Sequence, residues 1–193
     1  MGKITANLSM SLDGFITGPN VSINNPMGDD GERLHDWMFS GKTESEAVEF
    51  QELVFKTIGA LVMGRRMFDL GVDAWGDNPV FHAPVFVLSH NPKEKVVKQG
   101  GTTYTFVTSG TESALTQAKA AAGNKDIMLV GGANVIQQFI KSGWLDEIQI
   151  HLIPILLGEG TRLFDQLDRS IELERIQVTE APDVAHLGFR IVK

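Results

Sequence analysis

The sequence predicts an α/β fold built on a mixed, mainly parallel sheet with antiparallel edges and helices on its flanks. Three observations lead there. Short apolar runs of strand character alternate with stretches whose apolar residues recur at helical spacing. The last two such runs, Ile171 to Thr179 and His186 to Val192, follow each other with no helix between them. Several strand-to-helix turns are marked by glycine, most clearly at Gly131-Gly132. Strands that alternate with helices must run parallel, and consecutive terminal strands pair antiparallel.

Ile4, Ala6, Leu8 and Met10 alternate with Thr5, Asn7 and Ser9, which reads as a strand. Ser11-Leu-Asp-Gly14 turns the chain. A long stretch from Gly18 to Gly41, rich in Gly, Asn, Asp and Pro, holds one apolar island of Leu34, Trp37, Met38 and Phe39, a candidate short helix. Thr43-Glu-Ser-Glu46 has capping-box form, and Val48, Leu53, Val54 and Ile58 support a helix behind it. Ala60 to Met63 is a short buried strand that Gly64-Arg65-Arg66-Met67 ends. Pro84 to Leu88 and Tyr104 to Val107 are further strands. Ser109-Gly-Thr-Glu112 is a second capping box, opening an Ala-rich helix that ends near Gly123-Asn124. Ile127 to Val130 is a buried strand, and Val135, Ile136, Phe139 and Ile140 continue as a helix to about Gly143. Trp144 to Leu157 is strongly apolar and broken by Pro154, and Leu156 to Thr161 is a tight loop. Without repeats or linkers, residues 1–193 are expected to form one domain.

Composition narrows the function. A net charge of -7 argues against general nucleic-acid binding. The absence of Cys excludes disulfides, thiolate metal sites and Cys nucleophiles. No apolar run approaches a membrane span, and no secretory signal pattern opens the chain, so a cytoplasmic protein is expected. The five histidines are scattered without metal-ligand spacing, so no metal is expected. There is no G-x-G-x-x-G and no G-x-S-x-G. Gly41-Lys42-Thr43 resembles the end of a P-loop, but Asp36 stands where its first Gly belongs.

What remains is a set of strand ends carrying phosphate-friendly residues: Gly64-Arg65-Arg66, Ser89-His90, Thr108-Ser109-Gly110, and Gly131-Gly132-Ala133-Asn134-Val135. Ligands of open α/β sheets bind outside the carboxyl ends of the strands. Arg suits bidentate phosphate contacts, and helix N-termini offer unpaired N–H groups. Taken singly, each cluster is equally a solvated turn or a cap. Together they suit an extended ligand with more than one phosphate.

The chain resembles the dihydrofolate reductase-like superfamily, and within it the riboflavin-biosynthesis reductase (RibD C-terminal) branch. The matching residues are Ser11-Leu-Asp-Gly14, Val62-Met-Gly-Arg65, Val87-Leu-Ser89, Val130-Gly-Gly132, and Ile153 to Gly160 followed by Leu163-Phe164. The resemblance implies a three-layer fold and NADPH as hydride donor. It implies a reductase acting on a small heterocyclic or ribosylamino substrate, such as 5-amino-6-(5-phosphoribosylamino)uracil. Gly64, Arg65 and Arg66 would then meet the cofactor phosphates. Ser89 and His90 would lie near its adenosine end, with Thr108 on the neighbouring strand end. Gly131, Gly132, Ala133, Asn134 and Val135 would wrap the pyrophosphate. Ser11, Gly14 and Gly158 would line the substrate side, with Trp37 and Met38 as a lid over it or as a minor core cluster. The chain departs from riboflavin-pathway reductases in carrying Phe15 where they often have Lys, and Asn134 where they often have an acid. Asp13, Asp36, Glu159 or an ordered water are the candidate proton sources. A pterin reductase, a non-catalytic NADP(H)-binding domain and a structural domain that binds no nucleotide are the alternatives. The apolar run Ile148 to Leu157 exceeds what one central strand needs, so a homodimer is expected alongside the small-molecule substrate.

Overall fold

The structure is a computed structural model and describes residues 2–39 and 55–193. The helix and capping box expected around Thr43, and the Gly41-Lys42-Thr43 tripeptide, lie outside the described residues.

In chain order the elements are β1 (Ile4–Ser11), β2 (Phe15–Thr17), β3 (Ile58–Gly64), α1 (Arg65–Gly71), β4 (Pro84–Leu88), β5 (Val96–Val97), β6 (Thr103–Val107), α2 (Thr111–Ala122), β7 (Asp126–Gly131), α3 (Ala133–Lys141), β8 (Glu147–Ile153), β9 (Thr161–Arg162), β10 (Leu173–Ala181) and β11 (Val184–Ile191). Nine strands form one sheet in the order β10-β11-β8-β1-β7-β3-β4-β6-β5, and β2 pairs with β9 in a small ribbon. The six strands from β8 to β6 are mutually parallel. β11 joins β8 antiparallel, β10 joins β11 antiparallel, and β5 closes the far edge antiparallel to β6. The expected mainly parallel sheet with antiparallel edges is what the chain forms.

The central strands read as continuous apolar runs because both of their faces are covered. Ala60 and Val62 of β3 and Ile127 and Leu129 of β7 pack with Leu115 and Ala118 of α2 and Ile136 and Phe139 of α3. Leu61 and Met63 of β3 and Val85 and Val87 of β4 point the other way, onto Phe68 of α1 and Tyr104. This is the three-layer arrangement. The island around Trp37 forms two short 3-10 helices, Gly31–Leu34 and Asp36–Met38.

Most of the apolar character of 148–157 is used inside the chain. Ile148 and Ile150 enter the main core, Ile153 packs with Leu34, Trp37 and Val184, and Ile155 and Leu157 lie against that cluster. Leu156 of this run stays exposed, and β10 adds a second set of exposed apolar side chains, Leu173, Ile176 and Val178. Among the described residues no helix is long and apolar enough to cross a membrane.

Candidate functional site

Because β7, β3, β4 and β6 are adjacent and parallel, their carboxyl ends share one edge of the sheet. A cleft of about 1080 Å³ opens there. Of the residues expected to hold phosphate, all but Ser109 line it: Gly64, Arg65, Arg66, Ser89, His90, Thr108 and Gly110, and the run Gly131, Gly132, Ala133, Asn134 and Val135.

Two helices aim uncapped N-termini at this cleft. The N-cap of α3 is Gly132 and that of α2 is Gly110, and neither helix has a side-chain cap. The capping box expected at Ser109 is not formed. Gly110, with φ +91, takes the cap position, and Ser109 Oγ bonds Ser113 Oγ at 2.8 Å instead. In α3 the Val135 N–H turns back onto the Gly132 carbonyl at 3.1 Å, and the N–H groups ahead of it face the cleft with no side-chain cap. A Cβ built on Gly110 or Gly132 would meet nothing within 4 Å, so the backbone at both caps is open to close approach.

Arg65 is held in place before any ligand arrives. Its Nε donates to both carboxylate oxygens of Asp69 at 2.8 Å, and Nη1 donates to Ser89 Oγ at 3.2 Å. Its guanidinium carbon lies 5.5 Å from the Phe106 ring centroid. Ser89 also accepts from the Asn91 N–H and donates to the Asn91 carbonyl, which fixes the loop after β4. Lys93 Nζ sits 4.7 Å from the Phe68 centroid and 5.6 Å from that of Phe106. Lys93 was not anticipated from sequence, although a cation four residues beyond Ser89 is within reach of the same loop.

The other end of the cleft is built differently. Asn7 and Ser9 of β1, Ile16 and Thr17 of β2, Met27 and His35 line it. Ser9 Oγ accepts a bond from Trp37 Nε1 at 3.0 Å, and the Trp37 ring lies against His151 and His186 at centroid distances of 4.4 and 4.9 Å. Trp37 is therefore a buried anchor, the core reading of the two, and Met38 packs in the same cluster. Burial pulls His151 down to about 4, with His186 and His35 adding to the effect. Burial lowers His186 as well, and lowers His35 against the opposing pull of Asp36. Sequence reading missed this cluster because its members are far apart in the chain. One signal was present: β1 is a central strand, yet Thr5, Asn7 and Ser9 make one of its faces polar.

The residues expected on the catalytic and substrate side serve another purpose. Ser11 is fully buried, and its hydroxyl donates to Asp13 at 2.6 Å while accepting from the Phe15 N–H at 2.9 Å. The Asp13 carboxylate also accepts from the N–H groups of Leu157 (3.1 Å) and Gly158 (2.7 Å). The Ser11 bond, reinforced by these backbone donors, holds its pKa at about 2. A carboxyl kept ionised this firmly is a poor proton donor at neutral pH. The Leu163 N–H donates to the Gly14 carbonyl, and Arg162 donates to the Asp13 carbonyl at 2.9 Å while covering the Phe15 ring. Ser11, Asp13, Gly14 and Gly158 thus form a brace that joins the turn after β1 to the loop before β9. None of them lines the cleft, nor do the exposed Asp36 and Glu159. The brace sets the position of β2, which does line it. Among the described residues no group of acidic and histidine side chains is arranged to hold a metal ion.

The RibD C-terminal domain family model matches residues 2–187. The Bacillus subtilis protein YyaP is 27% identical over 184 residues, covering 90% of this chain and 86% of that one. A solved structure from Shewanella sp. PV-4, provisionally described as a riboflavin biosynthesis protein, is 25% identical with a TM-score of 0.75 and covers 99% of both chains. Dihydrofolate reductase from Enterococcus faecalis, complexed with NADP(H), covers 100% of this chain and 98% of its own at 18% identity and a TM-score of 0.59, a likeness of fold alone.

Proposed function

The chain belongs to the RibD C-terminal domain family, and from that premise we propose that it is an NADPH-dependent reductase acting on a small heterocyclic or ribosylamino compound. The observation that carries the reading is the convergence of two uncapped helix N-termini and a braced arginine on one cleft. Such a set of donors suits a dinucleotide diphosphate. Gly131, Gly132, Ala133 and the start of α3 would hold the pyrophosphate, and Arg65, Arg66 and Lys93 would meet the remaining phosphate charge. When bound, the nicotinamide supplies a hydride. The chain's own residues orient it, keep one end of the cleft cationic in a protein of net charge -7, and enclose the acceptor between β1 and β2. No Asp or Glu lines the acceptor end among the described residues, so water is the proton source this arrangement favours.

Thermal denaturation with NADPH, NADH and no ligand tests the reading. At a hundredfold its Kd, a ligand adds about 2.7 kcal/mol, which for a domain of this size raises Tm by roughly 5–11 °C. NADPH is expected to stabilise more than NADH, and Arg65→Ala to remove most of that difference. Equal stabilisation of wild type and variant would refute the assignment of Arg65. Saturable NADPH binding with no consumption by any acceptor would leave a binding domain instead of an enzyme. We propose further that two copies associate through β10, an edge strand exposed along its whole length. A monomer on size-exclusion chromatography would overturn that.

A further inference from the structure

Half of the cleft is unexplained by phosphate donors, and it lies over β1. Ala6 pairs with Leu129 in the parallel register of β1 and β7. Leu8 therefore stands level with Gly131, and β1 runs on past the end of β7. Ser9 pairs with His151 on β8, and His151 pairs with His186 on β11. The three side chains form one row across three strands, with Asn7 two residues back on the same face.

Two short bonds connect this row. His151 Nδ1 lies 2.6 Å from His186 Nδ1, and His151 Nε2 lies 2.6 Å from Asn7 Oδ1. A carboxamide oxygen only accepts, so His151 must carry its proton on Nε2. A neutral imidazole has one N–H, so its Nδ1 must accept from Nδ1–H of His186. The tautomers of both rings and the orientation of the Asn7 amide are therefore one linked choice. Trp37, bonded to Ser9 and packed on both rings, holds the row in register. With its oxygen occupied, Asn7 has its Nδ2 engaged only by a long 3.5 Å contact to Gln149, leaving an N–H for the cleft.

We propose that this end of the cleft binds an uncharged ring compound bearing a carbonyl or equivalent lone pair, and that Asn7, held by the His151–His186 pair, is the residue that reads it. The inference rests on the other end being the cofactor phosphate site. Charge separates the two ends. The charged side chains among the described lining residues are Arg65, Arg66, Asp69 and Lys93, all from α1 or the loop after β4. Arg66 donates to the Val21 carbonyl, in the loop after β2, at 3.5 Å. A phosphate ester at the β1 end would lie away from these cations, without the charge-assisted bonds that offset its desolvation. A neutral carbonyl is satisfied by one amide N–H. A volume of about 1080 Å³ also exceeds the roughly 300–1,000 Å³ typical of a single small-ligand pocket, which leaves room for a small ring beside a cofactor.

The test is amide and side-chain NMR on the protein with and without saturating NADPH. The probes are uracil and lumazine as neutral rings, and uridine with uridine 5′-monophosphate as a matched pair. The neutral rings are expected to shift Asn7 Nδ2 and Ser9, and the monophosphate to bind at least tenfold more weakly than uridine. Tighter binding of the monophosphate, or neutral rings that leave Asn7 unshifted, would overturn the proposal. Asn7→Asp, which has no donor, is expected to weaken ring binding at least tenfold with NADPH affinity unchanged. His151→Leu is expected to do the same, and His151→Gln, whose amide can still donate to Asn7, to restore binding. If the Leu and Gln variants bind the rings alike, the positioning role is wrong. Ring binding at Asn7 in a protein that fails to bind NADPH would sink the phosphate-site reading and leave this one standing.

Discussion

Gly158 and Gly160 sit two residues apart in the loop before β9, and replacing each by alanine separates backbone strain from steric exclusion. Gly158 has φ +78, and a Cβ there meets nothing within 4 Å. Gly158→Ala therefore costs only the left-handed conformation, about 1–2 kcal/mol. Gly160 has φ +136, and its Cβ would stand 1.9 Å from the Thr17 carbonyl oxygen and 2.9 Å from the Thr17 carbonyl carbon. Contacts under 3.0 Å are essentially never seen, so β2 or the loop must move by about an ångström, against the brace of Asp13 on Leu157 and Gly158. Adding about 1–3 kcal/mol for that displacement to a similar cost for a φ nearly exclusive to glycine gives roughly 2–6 kcal/mol. At about 2–4 °C per kcal/mol for this chain length, Gly158→Ala should lower Tm by roughly 2–8 °C and Gly160→Ala by roughly 4–24 °C. Urea denaturation should rank the two variants the same way. Since β2 carries Ile16 and Thr17 into the cleft, ligands at the β1 end should also bind more weakly to Gly160→Ala. Equal losses in the two variants, or a Gly160→Ala protein as stable as wild type, would show that the close approach of β2 is not what this loop enforces.

Further outcomes follow from other groups. The Tyr104 hydroxyl is buried with no hydrogen-bond partner, so Tyr104→Phe should raise stability by about 1 kcal/mol, and a loss in calorimetry would reveal a hidden partner. Trp37→Phe removes the bond to Ser9 and part of a buried ring, at about 1–3 kcal/mol. A mobile lid would instead leave Tm unchanged and alter only ligand binding. For pH, the unfolded chain takes up a proton on His151 near 6.5, whereas the folded chain resists until about 4. The folded state therefore loses stability as pH falls from about 6.5 toward 4, on the order of 3 kcal/mol from this group. His151→Gln should flatten that slope in denaturation curves taken across the window, and an unchanged slope would count against burial of the neutral ring. Asp13 contributes in the same direction lower down, as pH falls from about 4 toward 2.

The local patterns of this chain were enough to place most of its strands and the glycine-marked turns that line the cleft. Apolar runs such as Ala60 to Met63 and Ile127 to Val130 are buried on both faces, so their composition alone marks them as central strands. The turns at Gly64 and Gly131-Gly132 were legible because each lies at the end of such a run, and parallel neighbours bring their ends to one edge. The capping box at Ser109 misled because Ser, Gly, Thr and Glu at that spacing satisfy the sequence rule, while the backbone at Gly110 took the cap position.

What the sequence by itself determined is the fold class and the edge of the sheet where the cleft opens, since both follow from local periodicity and chain direction. Tertiary structure alone decided the rest. It turned Ser11, Asp13 and Gly158 into a brace, because the backbone partners of Asp13 lie about 145 residues away in the loop before β9. It also brought Asn7, His151 and His186 into one hydrogen-bonded row, because strand order places β1, β8 and β11 side by side. Contacts between strands distant in sequence depend on register, and register is set by the packing of the whole sheet.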